Sequence, residues 1–273
     1  MLFGVQLSTL GSTTAQEKAH PLRFLQLEYD NDVFSAEDWY YTQGIKVTWL
    51  APKLGKSPLR KLLLNNRKDT QIVHHYGLQW THSMYTPSLL TVNFVLPNDR
   101  PYASYMYVTQ QHWMLHPTKK YRLFSQIGIG MMGPAALAEP MQRLIHYATG
   151  SVQPGGWKFQ LQNDLVLQYE VRCDYSFSRK QVPSWIETIG FAQARLGLPL
   201  TDASAGVMLR LGKMKPFCSQ LFSTSGGAAA EKTSYGWFYL QGQSYIVGYN
   251  ATMSGGIWSQ DSPYLLPERR VNR

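Results

Sequence analysis

No stretch of the 273 residues approaches the ~20 consecutive apolar residues that a membrane-spanning helix needs. An α-helical membrane protein is excluded, but a chain that crosses a bilayer with strands is not. Cysteine is almost absent. Cys173 and Cys218 are the only two, too few for a disulfide scaffold and too far apart for a zinc motif, so both are expected to be free, inert thiols. Charge is thin too, at 16% of residues against 44% hydrophobic. Acid is the scarcer sign, with 17 Asp and Glu against 26 Lys and Arg for a net charge of +9. A basic surface attracts anionic partners. With no basic run carrying interleaved aromatics and no zinc-finger spacing, nucleic acid is not expected and anionic lipid is preferred.

One domain is expected over residues 20–273, since all-β barrels of roughly 200 to 250 residues fold as single units. Residues 1–16 pass from an apolar run to small and polar residues, like the end of a secretory signal peptide without its basic start. That predicts export.

Period-2 alternation dominates the rest. It is cleanest over residues 157–174, where Trp157, Phe159, Leu161, Leu165, Leu167, Tyr169 and Val171 share one face and Lys158, Gln160, Gln162, Asp164, Gln168, Glu170 and Arg172 the other. About 18 residues at ~3.3 Å each far exceed the usual strand, which suits a tilted crossing with its apolar face outward and its polar face inward. Further strands are expected at 23–32, 42–51, 74–86, 102–116, 121–132, 186–200, 203–213 and 236–254, joined as an up-and-down meander. The fold class is therefore all-β, an antiparallel transmembrane β-barrel. Trp39-Tyr40-Tyr41 and Trp237 with Tyr239 suit an interfacial aromatic girdle. One segment breaks the pattern: over 135–149, Leu137, Met141, Leu144, Ile145 and Ala148 recur at helical spacing between Gly133-Pro134 and Gly150. A single short helix outside the membrane is expected there.

Tyr29-Asp30-Asn31-Asp32 ends the first of these strands, Tyr41-Thr42-Gln43-Gly44 opens the next, and Gln142 and His146 lie four apart on one helix face. Carboxylates beside an amide can hold a hard, oxygen-seeking cation, although Asn and Asp also favour plain turns. A histidine can take a proton from water near neutral pH. The combination predicts calcium-assisted ester hydrolysis. His146 would act as base, Asp32 as the leading metal ligand with Asn31 and main-chain carbonyls assisting, and Thr42 and Gln142 would orient substrate or oxyanion. A direct Thr42 nucleophile is the alternative, without an evident activating triad. Asn31 falls on the apolar phase with Leu25, Leu27 and Tyr29, which is costly in lipid unless covered. The helix bearing His146 is the expected cover.

These motifs, with Asp99-Arg100-Pro101-Tyr102-Ala103-Ser104, Gln142-x-x-x-His146-x-x-x-Gly150 and Trp157-x-x-Gln160-x-x-Asn163, resemble in order and spacing the LpxR family of lipid A deacylases. The resemblance runs from about residue 25 to 250. It implies an outer-membrane barrel of about 12 strands that removes the 3'-linked acyloxyacyl group of lipid A, with calcium as cofactor. It also implies that Asn31, Asp32, Thr42, Gln142 and His146 hold the active-site positions, with the helix outside the barrel wall. Arg100 and Ser104 fall in a recurrent motif and are expected to contact substrate. The implied partner is lipopolysaccharide in the outer leaflet of a bacterial outer membrane, and a monomer is expected. Residues 88–95 lack the basic pair that a characterised member carries facing its site. The chain stops at Arg273 where members continue, so the last strands are expected to be missing. A non-enzymatic barrel, channel or adhesin-like, fits length and alternation equally well, but it leaves the helix and the carboxylate-rich strand end unexplained. A soluble secreted calcium-binding β-protein fails on strand length.

Overall fold

The structure is a computed structural model describing residues 5–8, 23–31, 42–178, 184–219, 221, 236–258 and 261–266. A single ten-stranded antiparallel sheet forms its body, each strand paired with its neighbours in sequence and β1 and β10 at its two ends. The strands are β1 (Val5–Ser8), β2 (Phe24–Asn31), β3 (Gln43–Leu50), β4 (Val73–Tyr85), β5 (Ala103–His116), β6 (Tyr121–Met132), β7 (Asp164–Ser176), β8 (Ser184–Gly197), β9 (Leu200–Met214) and β10 (Gly236–Asn250). Among the described residues one α-helix interrupts the meander, α1 (Ala138–Thr149) between β6 and β7, and another, α2 (Ala251–Ser254), follows β10.

Register sorts the residues into two phases. One transverse row runs Gln26, Thr48, Gln79, Thr109, Gly128, Gln168, and the adjacent row runs Leu27, Val47, Trp80, Val108, Ile129, Leu167. The polar row is inside: Thr109 is fully buried and Gln168 is 3% exposed, whereas Val108 is 45% and Ile129 59% exposed. Polar residues inward and apolar residues outward invert the pattern of a water-soluble protein and match a barrel whose outer solvent is hydrocarbon. No helix among the described residues is long and apolar enough to cross a membrane; the strands do the crossing. Several have 13 to 15 residues, ample for a tilted span.

The interior is held by paired charges. Glu187 accepts from Arg210 at 2.7 Å, Asp174 from Arg172 at 2.8 Å, and Asp202 from Arg195 at 2.8 Å. Glu170 accepts from Gln126 at 2.7 Å. At one end α2 and the chain after it pack over the lumen, with Ala251 and Leu265 against Tyr105, Met132 and Leu198.

The alternation expected from residue 157 begins as strand only at Asp164. Residues Trp157–Phe159 form a 3-10 turn, and Trp157 and Leu161 are fully buried rather than facing lipid, the first against Met84, Tyr102 and Ala138 and the second against Ala103, Tyr105 and Met132. Residues 251–254, expected to continue the last strand, are α2, started by the Asn250 side chain accepting from Thr252 N. Trp237 and Tyr239 are opposite Gly212 and Arg210 and share the inward phase, with the Arg210 guanidinium 4.5 Å from the Trp237 ring. They are not part of a lipid-facing girdle. Residues 39–41 and 9–16 lie outside the described residues.

Candidate active site

One end of the sheet gathers the close of β2, β4 and β6 and the start of β3, β5 and β7. There the outward phase carries Gln43, His82, Met84 and Ser104, all buried, because the connection from β6 to β7 folds back over them. The fold-back begins at Ser104, which accepts from Gly133 N at 2.9 Å through its carbonyl and donates its hydroxyl to Gly133 O at 3.0 Å. Gly133 has φ +81, and a Cβ there would sit 2.5 Å from Gln162 O, so glycine is required. His82 Nε2–H donates to Ala136 O at 2.9 Å, and Asn163 Oδ1 accepts from Ala135 N at 2.7 Å. These bonds set α1 on the outside of the barrel wall.

The stripe that α1 turns to the wall is Ala138, Gln142 and His146, spaced four apart, all buried. Ala138 and Met141 pack against Met84, Tyr102 and Trp157, and Gln43 Nε2 lies 3.9 Å from Met141 Sδ. Of the helical apolar residues that the spacing singles out, Met141 and Ile145 are half-buried beside this stripe. Leu137 and Leu144, by contrast, are 56% and 68% exposed.

Within the interface each functional group has a defined hand. Trp157 Nε1–H donates to Gln142 Oε1 at 2.6 Å, leaving the Gln142 amide nitrogen buried and unpartnered among the described residues. Gly150, at φ 69, ends α1 and reverses the chain. His146 Nδ1 then reaches Val152 O at 2.5 Å. A carbonyl can only accept, so Nδ1 carries a proton and Nε2 is the nitrogen left for proton exchange. Thr42 Oγ1 shares a 2.7 Å hydrogen bond with Thr86 Oγ1, and Thr42 N donates to Met84 O at 3.2 Å. Tyr102 donates to Leu90 O at 3.0 Å, and burial pushes its phenol up to about 12.

The backbone of Asn31 pairs with Gln43, which places Asn31 on the outward phase, as its position in β2 predicted. Asp32 lies outside the described residues. Among the described residues no group of three or more His, Cys, Asp or Glu is poised to hold a metal. Arg100 goes elsewhere: its Nη2 donates to Thr252 Oγ1 at 3.1 Å and its guanidinium sits 4.2 Å from the Tyr85 ring. It clasps α2 over the lumen. Asp99 accepts from Ser88 N and Oγ at 2.8 and 2.6 Å, organising residues 88–99. The structure thus brings Gln142, His146, Thr42 and the end of β2 to one rim of the wall, and gives Ser104 and Arg100 anchoring contacts. Gln43, His82 and Trp157 are the residues that motif reasoning underweights. Gln43 had a signal, since it pairs with Asn31 on the same phase.

A family model described as "Outer membrane protein LpxR" matches residues 1–273. The chain belongs to the LpxR family. Among solved structures, LpxR from Salmonella typhimurium is similar, with a TM-score of 0.61, 16% sequence identity, and coverage of 80% of this chain and 70% of that chain. That likeness shows a shared fold. No curated protein matches. LpxR membership makes the chain an outer-membrane protein and implies a lipid A deacylase.

Proposed function

We propose that this LpxR-family chain hydrolyses the 3'-acyloxyacyl ester of lipid A, acting as a monomer on lipid of the outer leaflet, with His146 activating the attacking water. The observation that carries the reading is the fixed imidazole: His146 is buried against the wall with its Nδ1–H held by Val152 O, so Nε2 is available as a base. That nitrogen takes a proton from water as the water oxygen attacks the ester carbonyl. The proton passes to the sugar alkoxide as the acyl–oxygen bond breaks. The unpartnered Gln142 amide N–H donates to the oxyanion, and the Thr42 hydroxyl orients the ester.

Calcium suits this donor set. Asn31 and Asp32 offer an amide oxygen and a carboxylate, the donors that a hard cation prefers. Bound at Asn31 and Asp32, calcium would polarise the ester carbonyl. A lateral approach for the substrate's acyl chains is supported by the apolar outward row Val47, Trp80, Val108, Ile129, the face that a bilayer would cover.

The test is mass spectrometry of lipid A from cells expressing the wild-type chain or His146→Gln, with barrel closure checked by heat-modified gel mobility. A roughly 10²- to 10⁴-fold loss of deacylation with an intact barrel is expected for removal of a general base. Wild-type lipid A profiles from the folded variant would overturn the assignment. A wild-type chain inactive with calcium present would favour a non-enzymatic barrel.

A further inference from the structure

The connection between β3 and β4, residues 51–72, carries Lys53, Lys56, Arg60, Lys61, Arg67 and Lys68 against a single acid, Asp69. Six basic residues and one acid leave it at +5, more than half of the chain's +9. It does not hang as a loop. Two 3-10 turns, Pro52–Lys56 and Pro58–Leu62, lie back along the outside of the barrel at the end opposite α1. Gln110 Nε2 donates to Leu54 O at 3.0 Å, His112 Nδ1–H to Leu64 O at 2.7 Å, and Leu64 N to Ser125 Oγ at 3.1 Å. Arg60 joins the two turns by donating to Gly55 O at 2.9 Å. Gly55 lies so close to the Tyr76 ring that a Cβ would sit 2.7 Å from it. The segment therefore crosses the outward face of β4, β5 and β6.

Its depth matters. On β5 the outward residues left uncovered between Ser104, under the α1 fold-back, and Gln110, under this segment, are Met106 and Val108 alone. That interval is roughly 15 Å of barrel height at ~3.3 Å per residue and a tilt near 40°. The apolar band of such a barrel is ~25 Å tall, so the covering elements must supply the rest. The segment does so: Leu59, Leu62 and Leu64 are 47%, 55% and 39% exposed, while Lys53, Lys56, Lys61, Arg67 and Lys68 are exposed beside them. Leucines and cations side by side, at the edge of an apolar band, are the composition of an element lying in a membrane interface. Its end, with Lys119, borders a shallow open depression lined by Asn66, Lys68, Asp69, Thr70 and Gln71.

We propose that residues 51–72 form an interfacial clamp for anionic phospholipid, its leucines among the acyl chains and its lysines and arginines on the headgroup phosphates. The leaflet is the one opposite the deacylation site, an assignment that rests on the lipid A reading; headgroup binding itself does not. The full chain, folded in detergent, is titrated with phosphatidylglycerol, phosphatidylcholine and lipid A, and bound lipid is counted by native mass spectrometry. Phosphatidylglycerol is expected to be retained over phosphatidylcholine, roughly hundredfold less tightly by Lys53→Gln/Lys56→Gln/Lys61→Gln, with deacylation and heat-modified mobility unchanged. Equal retention by that variant, no headgroup preference in the wild type, or loss of lipid A adducts instead of phosphatidylglycerol on mutation overturns it. Should the triple variant not close its barrel, the unmodified chain decides. Phosphatidylglycerol retention that is unaltered between about 0.05 and 0.5 M salt, where screening lengths shrink to a few ångströms, overturns the proposal equally.

Discussion

The indole of Trp157 and the amide of Gln142 meet at 2.6 Å inside the interface between α1 and the barrel wall. An indole nitrogen is only a donor, so the bond fixes which end of the amide faces the tryptophan and which end is left for chemistry. Trp157→Phe keeps the ring and removes the donor. Gln142 then loses its fixed orientation, and a buried oxygen loses its partner at a cost of about 1–3 kcal/mol. The expected result is roughly tenfold lower kcat with little change in KM, on a barrel with unaltered gel mobility.

Ala138 is 1% exposed and packs against Met84, Tyr102 and Trp157. Ala138→Leu would force α1 off the wall at about 1–3 kcal/mol, whereas the strands pair independently of the helix. Activity should collapse while the far-ultraviolet strand signal and heat-modified mobility persist. Loss of both together would mean that the barrel depends on its cover.

Much of this arrangement was written in the sequence. The alternation put Leu165, Leu167, Tyr169 and Val171 on the face that turns outward and Asp164, Gln168, Glu170 and Arg172 on the face that turns inward, and it put Asn31 on the outward phase of β2. Two features were not legible, for different physical reasons. On the helix that covers this barrel, large apolar residues face out, while Gln142 and His146 share the wall face with Ala138. Leu144 and Tyr147 are thus 68% and 83% exposed while Gln142 is 1% exposed. Trp157 and Leu161 imitated a strand because their spacing happened to alternate, but Trp157 is buried against Ala138 of α1 and Leu161 against Tyr105, Met132 and Ala251. The asparagine cap of α2 was a usable signal, since Asn250 lies two residues before Thr252, whose N–H it accepts.

Tyr102 offers a pH probe of the cover. Burial raises its phenol from 10 to about 12, so the folded state favours the neutral ring. That contribution is complete below pH 10 and is lost as pH rises toward 12. Trp157 lies 4.9 Å from the ring and should report the release as a fluorescence change over pH 10–12. Tyr102→Phe should abolish that step; its persistence in the variant would assign it to another group.

Inside the barrel, far from α1, Glu187 accepts from Arg210 at 2.7 Å, from Ser176 Oγ at 2.8 Å and from Phe217 N at 3.1 Å. Glu187 and Arg210 are each 3% exposed. Removing one partner of a buried pair strands the other charge, typically at about 3–5 kcal/mol, whereas replacing both with apolar residues of similar size is often neutral. Glu187→Gln should lower the temperature of gel-mobility conversion clearly, and the double variant Glu187→Leu/Arg210→Met should recover most of the loss. Per-enzyme deacylation should stay near wild type in both at temperatures where they are folded, because the pair joins β8 to β9 and touches nothing beneath α1. If the double variant were as unstable as the single, the pair would have to be contributing net attraction beyond its desolvation cost. The polar lumen would then stabilise this barrel rather than merely balance its own burial.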